Sequence, residues 1–209
     1  MKLVVFGSTG NTGRQLLTQA LERSHQVTAF ARDPRQIALT SPQLETLRGD
    51  ALDGEAVRKA VSGADAVISV LGVRLGQAPG TVRSRGTYHI VAALLAAGVP
   101  RFLSVSTIGV GDSRQRLSFL ARSILPKIIG RDRLQEAQEQ EAIIQRSNLE
   151  WTILRPPRLL DRPGTGRYRL GTDLPTGMRS QLTRADLARA LLDQLASKEY
   201  LRQCPSVIN

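Results

Sequence analysis

An α/β fold, a doubly wound parallel sheet in a single domain spanning residues 1–209, is what this sequence predicts, on three observations. Short apolar runs alternate with segments of helical periodicity along the whole chain, the pattern of β-α-β units with right-handed crossovers. A glycine triplet, Gly7, Gly10 and Gly13, stands between the first apolar run and the first helical segment. The 209 residues suffice for one sizeable core and are too few for two comfortable ones.

The first strand is Leu3 to Phe6, and the helix after it carries Leu16, Leu17, Ala20 and Leu21 on one face. Between them runs Gly7-Ser8-Thr9-Gly10-Asn11-Thr12-Gly13, spaced G-x-x-G-x-x-G. Gly7 and Gly10 let the backbone turn sharply and approach a pyrophosphate, and Gly13 lets the helix pack close to the strand. The amides of Thr9, Asn11 and Thr12 complete a cradle at a helix N-terminus, where the dipole favours an anion by about 0.3–1 kcal/mol. A second strand, His25 to Ala31, ends at Arg32-Asp33-Pro34-Arg35. Arginine at this strand end pairs with the 2′-phosphate of NADP, whereas a carboxylate would accept from the ribose of NAD, so Arg32 and Arg35 predict NADP(H), with Asp33 and Pro34 opening a short helix.

A third strand, Leu44 to Arg48, runs into Gly49-Asp50-Ala51, where Asp50 is placed either to accept from the adenine amino group or to form a turn. A helix follows from Asp53 to Val61, then a buried strand from Asp65 to Leu71 closed by Gly72-Val73-Arg74, whose backbone is free to pass close to the cofactor. A helix from about Thr81 to Ala97 leads to the strand Arg101 to Thr107, whose hydroxyl-bearing end lies on the ligand side of a parallel sheet. Gly109 to Ile129 reads as a wall of the substrate mouth or a plain surface helix; Arg131 to Arg146 is a longer helix, and Trp151 to Arg155 a strand ending at Pro156-Pro157-Arg158. The proline-, glycine- and arginine-rich stretch at about 158–180, with a short strand-like Tyr168-Arg169-Leu170 inside, predicts a small substrate-facing excursion. Thr183 and Asp186 have capping-box spacing, with Leu182 and Leu187 as a staple, before a closing helix to about Ala196 and an edge strand at Ser206 to Ile208 that completes the sheet.

Composition narrows the function. The net charge of +11 arises from 29 basic residues of which only Lys2, Lys59, Lys127 and Lys198 are lysines. The arginines are scattered, and aromatics make up only 4%, so stacking platforms for nucleic acid are lacking. Arginine's fork suits anionic small ligands instead. Apolar runs are too short for a signal peptide or a membrane span of about 20 residues, which predicts a cytoplasmic protein without membrane contact. A lone Cys204 supports neither a disulfide nor a zinc site.

The short-chain dehydrogenase pair Tyr-x-x-x-Lys, which protonates an alcohol oxygen, is missing: none of Tyr88, Tyr168 and Tyr200 has lysine four residues on. His25 and His89 lack partners for Ser/His/Asp chemistry. A hydride site with few acid–base groups suits an acceptor whose conjugated system takes the hydride, a flavin or a linear tetrapyrrole.

Phe6 to Gly13, Val27 to Asp33, Gly49-Asp50, Asp65 to Ile68, Leu71 to Arg74, Ser106-Thr107 and Pro156-Pro157 follow in an order that resembles the NADPH-dependent flavin reductase or biliverdin-IXβ reductase family, atypical short-chain dehydrogenases with a Rossmann fold. The resemblance implies a monomeric NADPH enzyme reducing flavins and, in some members, biliverdin. By position it places the hydroxyl beside the nicotinamide at Thr107, next to Ser106, and the family's Pro-Pro-His at Pro156-Pro157-Arg158. An always-charged arginine cannot act as proton donor, so Arg158 is expected to anchor a phosphate or propionate. Two other readings of the same scaffold are a non-catalytic NADP(H)-binding sensor or assembly factor and a quinone- or isoflavone-type reductase.

Overall fold

The structure is a computed structural model that describes all residues except 74–76, 79 and 178. Six strands, β1 (Lys2–Phe6), β2 (Gln26–Ala31), β3 (Leu44–Arg48), β4 (Ala66–Ser69), β5 (Arg101–Val105) and β6 (Glu150–Leu154), form one parallel sheet in the order β3-β2-β1-β4-β5-β6. Strand polarity is the same throughout, so every strand ends on one edge, and the order reverses between β1 and β4. That reversal opens the crevice in which open α/β sheets bind ligands.

Alternation along the strands divides the core. Leu3, Val5, Val27, Ala29, Ile68 and Leu103 face one side, against α1 (Asn11–Glu22) and α7 (Arg184–Asp193). Val4, Phe6, Phe30, Val67, Phe102 and Ile153 face the other, against α2 (Gly54–Val61), α3 (Val82–Ala97) and α6 (Arg131–Gln145). Both faces are covered by helices, so the strands are apolar on both sides. Each fully buried leucine, such as Leu16 and Leu17 on α1, contributes about 1.5–3 kcal/mol.

Between β5 and α6, the stretch read as a wall of the substrate mouth or a surface helix forms two helices, α4 (Ser113–Arg116) and α5 (Phe119–Ile129), the second capped by the Ser118 hydroxyl. Beyond β6 the chain makes three-residue strands: β7 (Arg158–Leu160), β8 (Arg169–Gly171) and β9 (Gln181–Thr183), with β7 parallel to β9. α7 ends at Asp193, short of Ala196. The terminal strand β10 (Ser206–Ile208) does not complete the large sheet: it pairs antiparallel with β8. The chain does run beside β6 and its end, through Ile153 N to Gln203 O, Arg155 N to Pro205 O and Val207 N to Arg155 O, but Pro205 has no N–H to give back, so the ladder is interrupted there. The capping box is also only half formed. The Thr183 hydroxyl accepts from the Asp186 amide, but it is Asn209 Oδ1, 23–26 residues on, that accepts from the Thr183 amide, while the Asp186 carboxylate turns to other donors. No helix among the described residues is long and apolar enough to cross a membrane.

Candidate active site at the carboxyl edge of the sheet

The glycine loop joins β1 to α1 at the point of reversal. Gly7 has φ +82°, and a Cβ there would stand 2.8 Å from the Val70 carbonyl oxygen just past β4. A Cβ on Gly13 would meet Gly7 O at 2.2 Å, so no side chain fits between helix and loop. Gly10 is the N-cap of α1 and offers no side-chain cap; the first helical bond is Arg14 N to Gly10 O at 2.9 Å. Ahead of it the amides of Asn11, Thr12 and Gly13 are the orphan donors of a helix start, open to an anion. The cradle is pinned from below by Ser8, whose buried hydroxyl donates to Phe30 O at 2.9 Å and ties the loop to β2. Thr9 is half-buried and its carbonyl accepts from Arg14 Nε. This donor set and this bare backbone fit a dinucleotide diphosphate.

At the end of β2, Arg32 is exposed and takes part in none of the ion pairs among the described residues. Arg35 lies back on Asp33, with Nε to Oδ1 at 2.8 Å and Nη2 to Oδ2 at 3.1 Å. Asp33 also caps the short 3-10 turn Pro34–Gln36, and its hydrogen bonds from Arg35 hold its carboxyl below the ordinary value. Both carboxylate oxygens of Asp33 are therefore engaged inside the protein. Sequence reasoning missed Arg14: its Nε donates to Thr9 O at 3.2 Å and its Nη2 to Gln36 O at 3.3 Å, bridging the cradle to the turn that carries Arg35. Its position directly after the third glycine was the available signal.

Asp50 makes a turn, its Oδ1 accepting from the Leu52 amide at 3.0 Å, which leaves Oδ2 for another donor. Ala51 is buried beside it, against Gly86 of α3. Gly49 lets the Phe30 ring lie flush against the backbone, since a Cβ would come within 2.4 Å of it. Past β4, Leu71 and Val73 are half-buried around an exposed Gly72, and Arg74 lies outside the described residues. Arg133 of α6 donates to Val73 O at 2.9 Å and ties this loop to the helix.

Ser106 and Thr107 follow β5 on the same edge. Ser106 is 3% exposed, its amide bonded to Leu154 O and its hydroxyl without a partner among the described residues. The hydroxyls of Ser69 and Thr87 and Nη1 of Arg83 are likewise buried and unmatched, and Arg83 Nη2 lies 3.2 Å from where a Gly72 Cβ would stand. Ser69 and Ser106 belong to the ends of β4 and β5, Arg83 and Thr87 to α3, and buried polar groups of this kind call for a ligand or water. Thr107 is half-buried, and the Ile108 amide reaches Pro156 O at 3.2 Å, which joins the end of β5 to the buried Pro156-Pro157 step after β6. Arg158 begins β7 and is exposed.

Beneath that step sits a buried ion network absent from the sequence reading. Arg155, 1% exposed, donates from Nε and Nη2 to Glu141 at 2.9 and 2.6 Å and from Nη1 to Asp112 at 2.5 Å. Burial works against its charge, yet the two carboxylates outweigh that and hold it protonated above the ordinary arginine range. The three tyrosines are all elsewhere. Tyr88 is 60% exposed on α3; Tyr168 donates to Asp193 and burial with that carboxylate pushes its phenol up; Tyr200 donates to Leu170 O.

Comparison with known proteins agrees with this geometry. A profile of the NAD(P)H-binding family matches residues 7–198. An uncharacterised chloroplastic protein of Arabidopsis thaliana is 29% identical over 97% of this chain and 72% of its own. Among solved structures, an anaerobillin reductase from Escherichia coli O157:H7 superimposes with TM-score 0.82 at 25% identity, covering 100% of this chain and 97% of that one. A short-chain dehydrogenase/reductase from Veillonella parvula, solved in complex with NADP, gives TM-score 0.82 at 19% identity over 99% and 93% of the two chains. The glycine cradle, the order of the sheet and the profile match together make this chain a member of the NAD(P)H-binding family.

Proposed function

We propose that the protein is an NADPH-dependent reductase that delivers hydride to a planar conjugated acceptor, a flavin or a linear tetrapyrrole. The observation that carries this reading is the acid–base poverty of the carboxyl edge: Ser106 and Thr107 supply hydroxyls, while every tyrosine is exposed or committed elsewhere. When bound, the reduced nicotinamide supplies the hydride. The chain's own residues bind and orient. The amides of the cradle hold the diphosphate, and Arg14, Arg32 and Arg35 surround the end of β2, where the phosphate on the adenosine ribose belongs. Asp33 is partnered by Arg35, and the charge that Arg14, Arg32 and Arg35 gather at this strand end is positive, which favours NADPH over NADH.

Ser106 and Thr107 donate to the nicotinamide or to the acceptor, and Arg158 anchors an acidic substituent of the acceptor. The proton that accompanies hydride comes from solvent, since a guanidinium does not give one up. The bilin side of the reading is supported by the fold shared with the anaerobillin reductase.

The test is loss of NADPH absorbance with FMN, biliverdin and a quinone offered in turn. Turnover with FMN or biliverdin is expected. Tight NADPH binding with no turnover would favour a non-catalytic sensor. In the active protein, Arg158→Ala should raise KM for FMN severalfold with kcat little changed; a kcat loss at constant KM would remove the anchoring role.

A further inference from the structure

The segment after β7 meets the glycine cradle through one carboxylate. Asp161 Oδ1 accepts from Asn11 Nδ2 at 3.1 Å and from Arg184 Nε at 2.7 Å. Arg184, the first residue of α7, also donates from Nη1 to Thr12 Oγ1 at 3.3 Å. A guanidinium from residue 184 thus lies on the first turn of α1, against Thr12 and, through Asp161, linked to Asn11, two of the residues whose amides open the diphosphate cradle.

We propose that Arg184 is itself a ligand of the cofactor diphosphate, held ready by Asp161, and that binding exchanges the Asp161 carboxylate for phosphate oxygens. This rests on the dinucleotide reading of the cradle. Three features favour the exchange. The Asp161 side chain is 59% exposed and that of Arg184 27%, so their pair is a surface ion pair, worth about 0–1 kcal/mol and readily broken. The guanidinium fork makes paired bonds to phosphate as well as to carboxylate, so Arg184 changes partner without moving from Thr12. A carboxylate left beside an incoming diphosphate is repelled, and Asn11, its other anchor, sits in the cradle too. Departure of Asp161 then unties the residue that follows β7, the strand that carries Arg158, from α1 and α7 only when the cofactor is in place. Arg184 acts here as a binding residue, and Asp161 as the group that positions it.

Calorimetry with NADP+ and with adenosine 2′-monophosphate, which has no diphosphate, separates the contributions. Arg184→Ala should weaken NADP+ by about tenfold or more, the range of a lost charge-assisted bond, and leave the monophosphate unchanged. Arg184→Lys should recover part of the loss, and Asp161→Asn should tighten NADP+ severalfold by removing the competitor. Hydrogen exchange should show the amides of 158–161 gaining exchange on NADP+ addition in the wild type but not in Asp161→Asn. Equal NADP+ affinity in wild type and Arg184→Ala, or parallel losses for both ligands, would overturn the assignment of Arg184. A wild-type chain that binds no NADP+ at all would overturn the dinucleotide reading instead.

Discussion

Gly13 and Arg32 show the two ways in which a single residue shapes this site. At Gly13 the constraint is steric: with the Gly7 oxygen 2.2 Å from the nearest possible Cβ, α1 can approach the loop only because the side chain is missing. At Arg32 the constraint is electrostatic. It is the exposed guanidinium at the end of β2 that no carboxylate holds, whereas Arg35 must first leave Asp33 to reach a ligand. That exchange is inexpensive, because an exposed pair is worth about 0–1 kcal/mol. Removing Arg32 therefore removes the cation that is already free. We expect Arg32→Ala to reduce the preference for NADPH over NADH by about 10- to 150-fold, measured as the ratio of kcat/KM with the two cofactors. An unchanged ratio would move the 2′-phosphate contact to Arg14 and Arg35. Both residues were legible in the sequence, since a glycine at a strand-to-helix turn and an arginine at a strand end act through their own backbone position.

Elements differ in how far their own residues determine them. The inner strands β1, β4 and β5 are largely apolar and buried on both faces, β3 at the edge is half polar, and all six strands lie close to where the sequence pattern puts them. Of the three-residue strands β7, β8 and β9, only β8, near Tyr168-Arg169-Leu170, left a mark in the sequence; β7 and β9 carry no such pattern, and the partners of all three are set by contacts that close only when the sheet exists. Asp186 belongs to this second class. Read from spacing it was half of a capping box, but in the fold its carboxylate gathers the amides of Thr165 and Gly166, the hydroxyls of Thr165 and Thr183 and the Asn209 side chain. It thereby staples the excursion and the C-terminus to the start of α7. Burial pushes this carboxyl up, but the donors outweigh it and hold it at about 2, against an ordinary 3.8. Because the folded value is the lower one, the charged form is what the fold stabilises. Its contribution is complete above about pH 4 and drains away as pH falls toward 2. Asp186→Asn should lower the melting temperature at pH 7 and show a smaller further loss between pH 4 and 2.5 than the wild type. Melting curves that fall in parallel over that window would show that Asp186 is not the group responsible.

At the scale of the molecule, the site depends on contacts between residues far apart in the chain, and this is why half of it was hidden from the sequence. Arg14, next to a recognised motif, could have been found; Arg184 and Asp161 could not, because their link to Asn11 and Thr12 spans 150 residues or more. The same holds for Arg155, which in the sequence is only the charged end of a strand. In the fold its guanidinium ties β6 to Glu141 on α6 and to Asp112 after β5, and Gly111, at φ +56°, brings its loop so close that a Cβ would stand 2.6 Å from Arg155 Nη2. The network thus fixes the loops carrying Thr107 and Pro156-Pro157 relative to one another. Glu141 and Arg155 are each 1% exposed in their side chains, so removing Glu141 strips a buried guanidinium of the two hydrogen bonds from Nε and Nη2 and leaves it the one to Asp112. Arg155 cannot escape by losing its proton, because a guanidinium stays charged in proteins. Glu141→Ala is therefore expected to cost about 3–5 kcal/mol in urea unfolding, far more than a surface pair. The double variant Glu141→Leu with Arg155→Met, which removes both charges and keeps the volume, should lose much less than Glu141→Ala alone. If the double variant is as unstable as the single one, packing around Arg155, and not its charge, is what holds the two loops together.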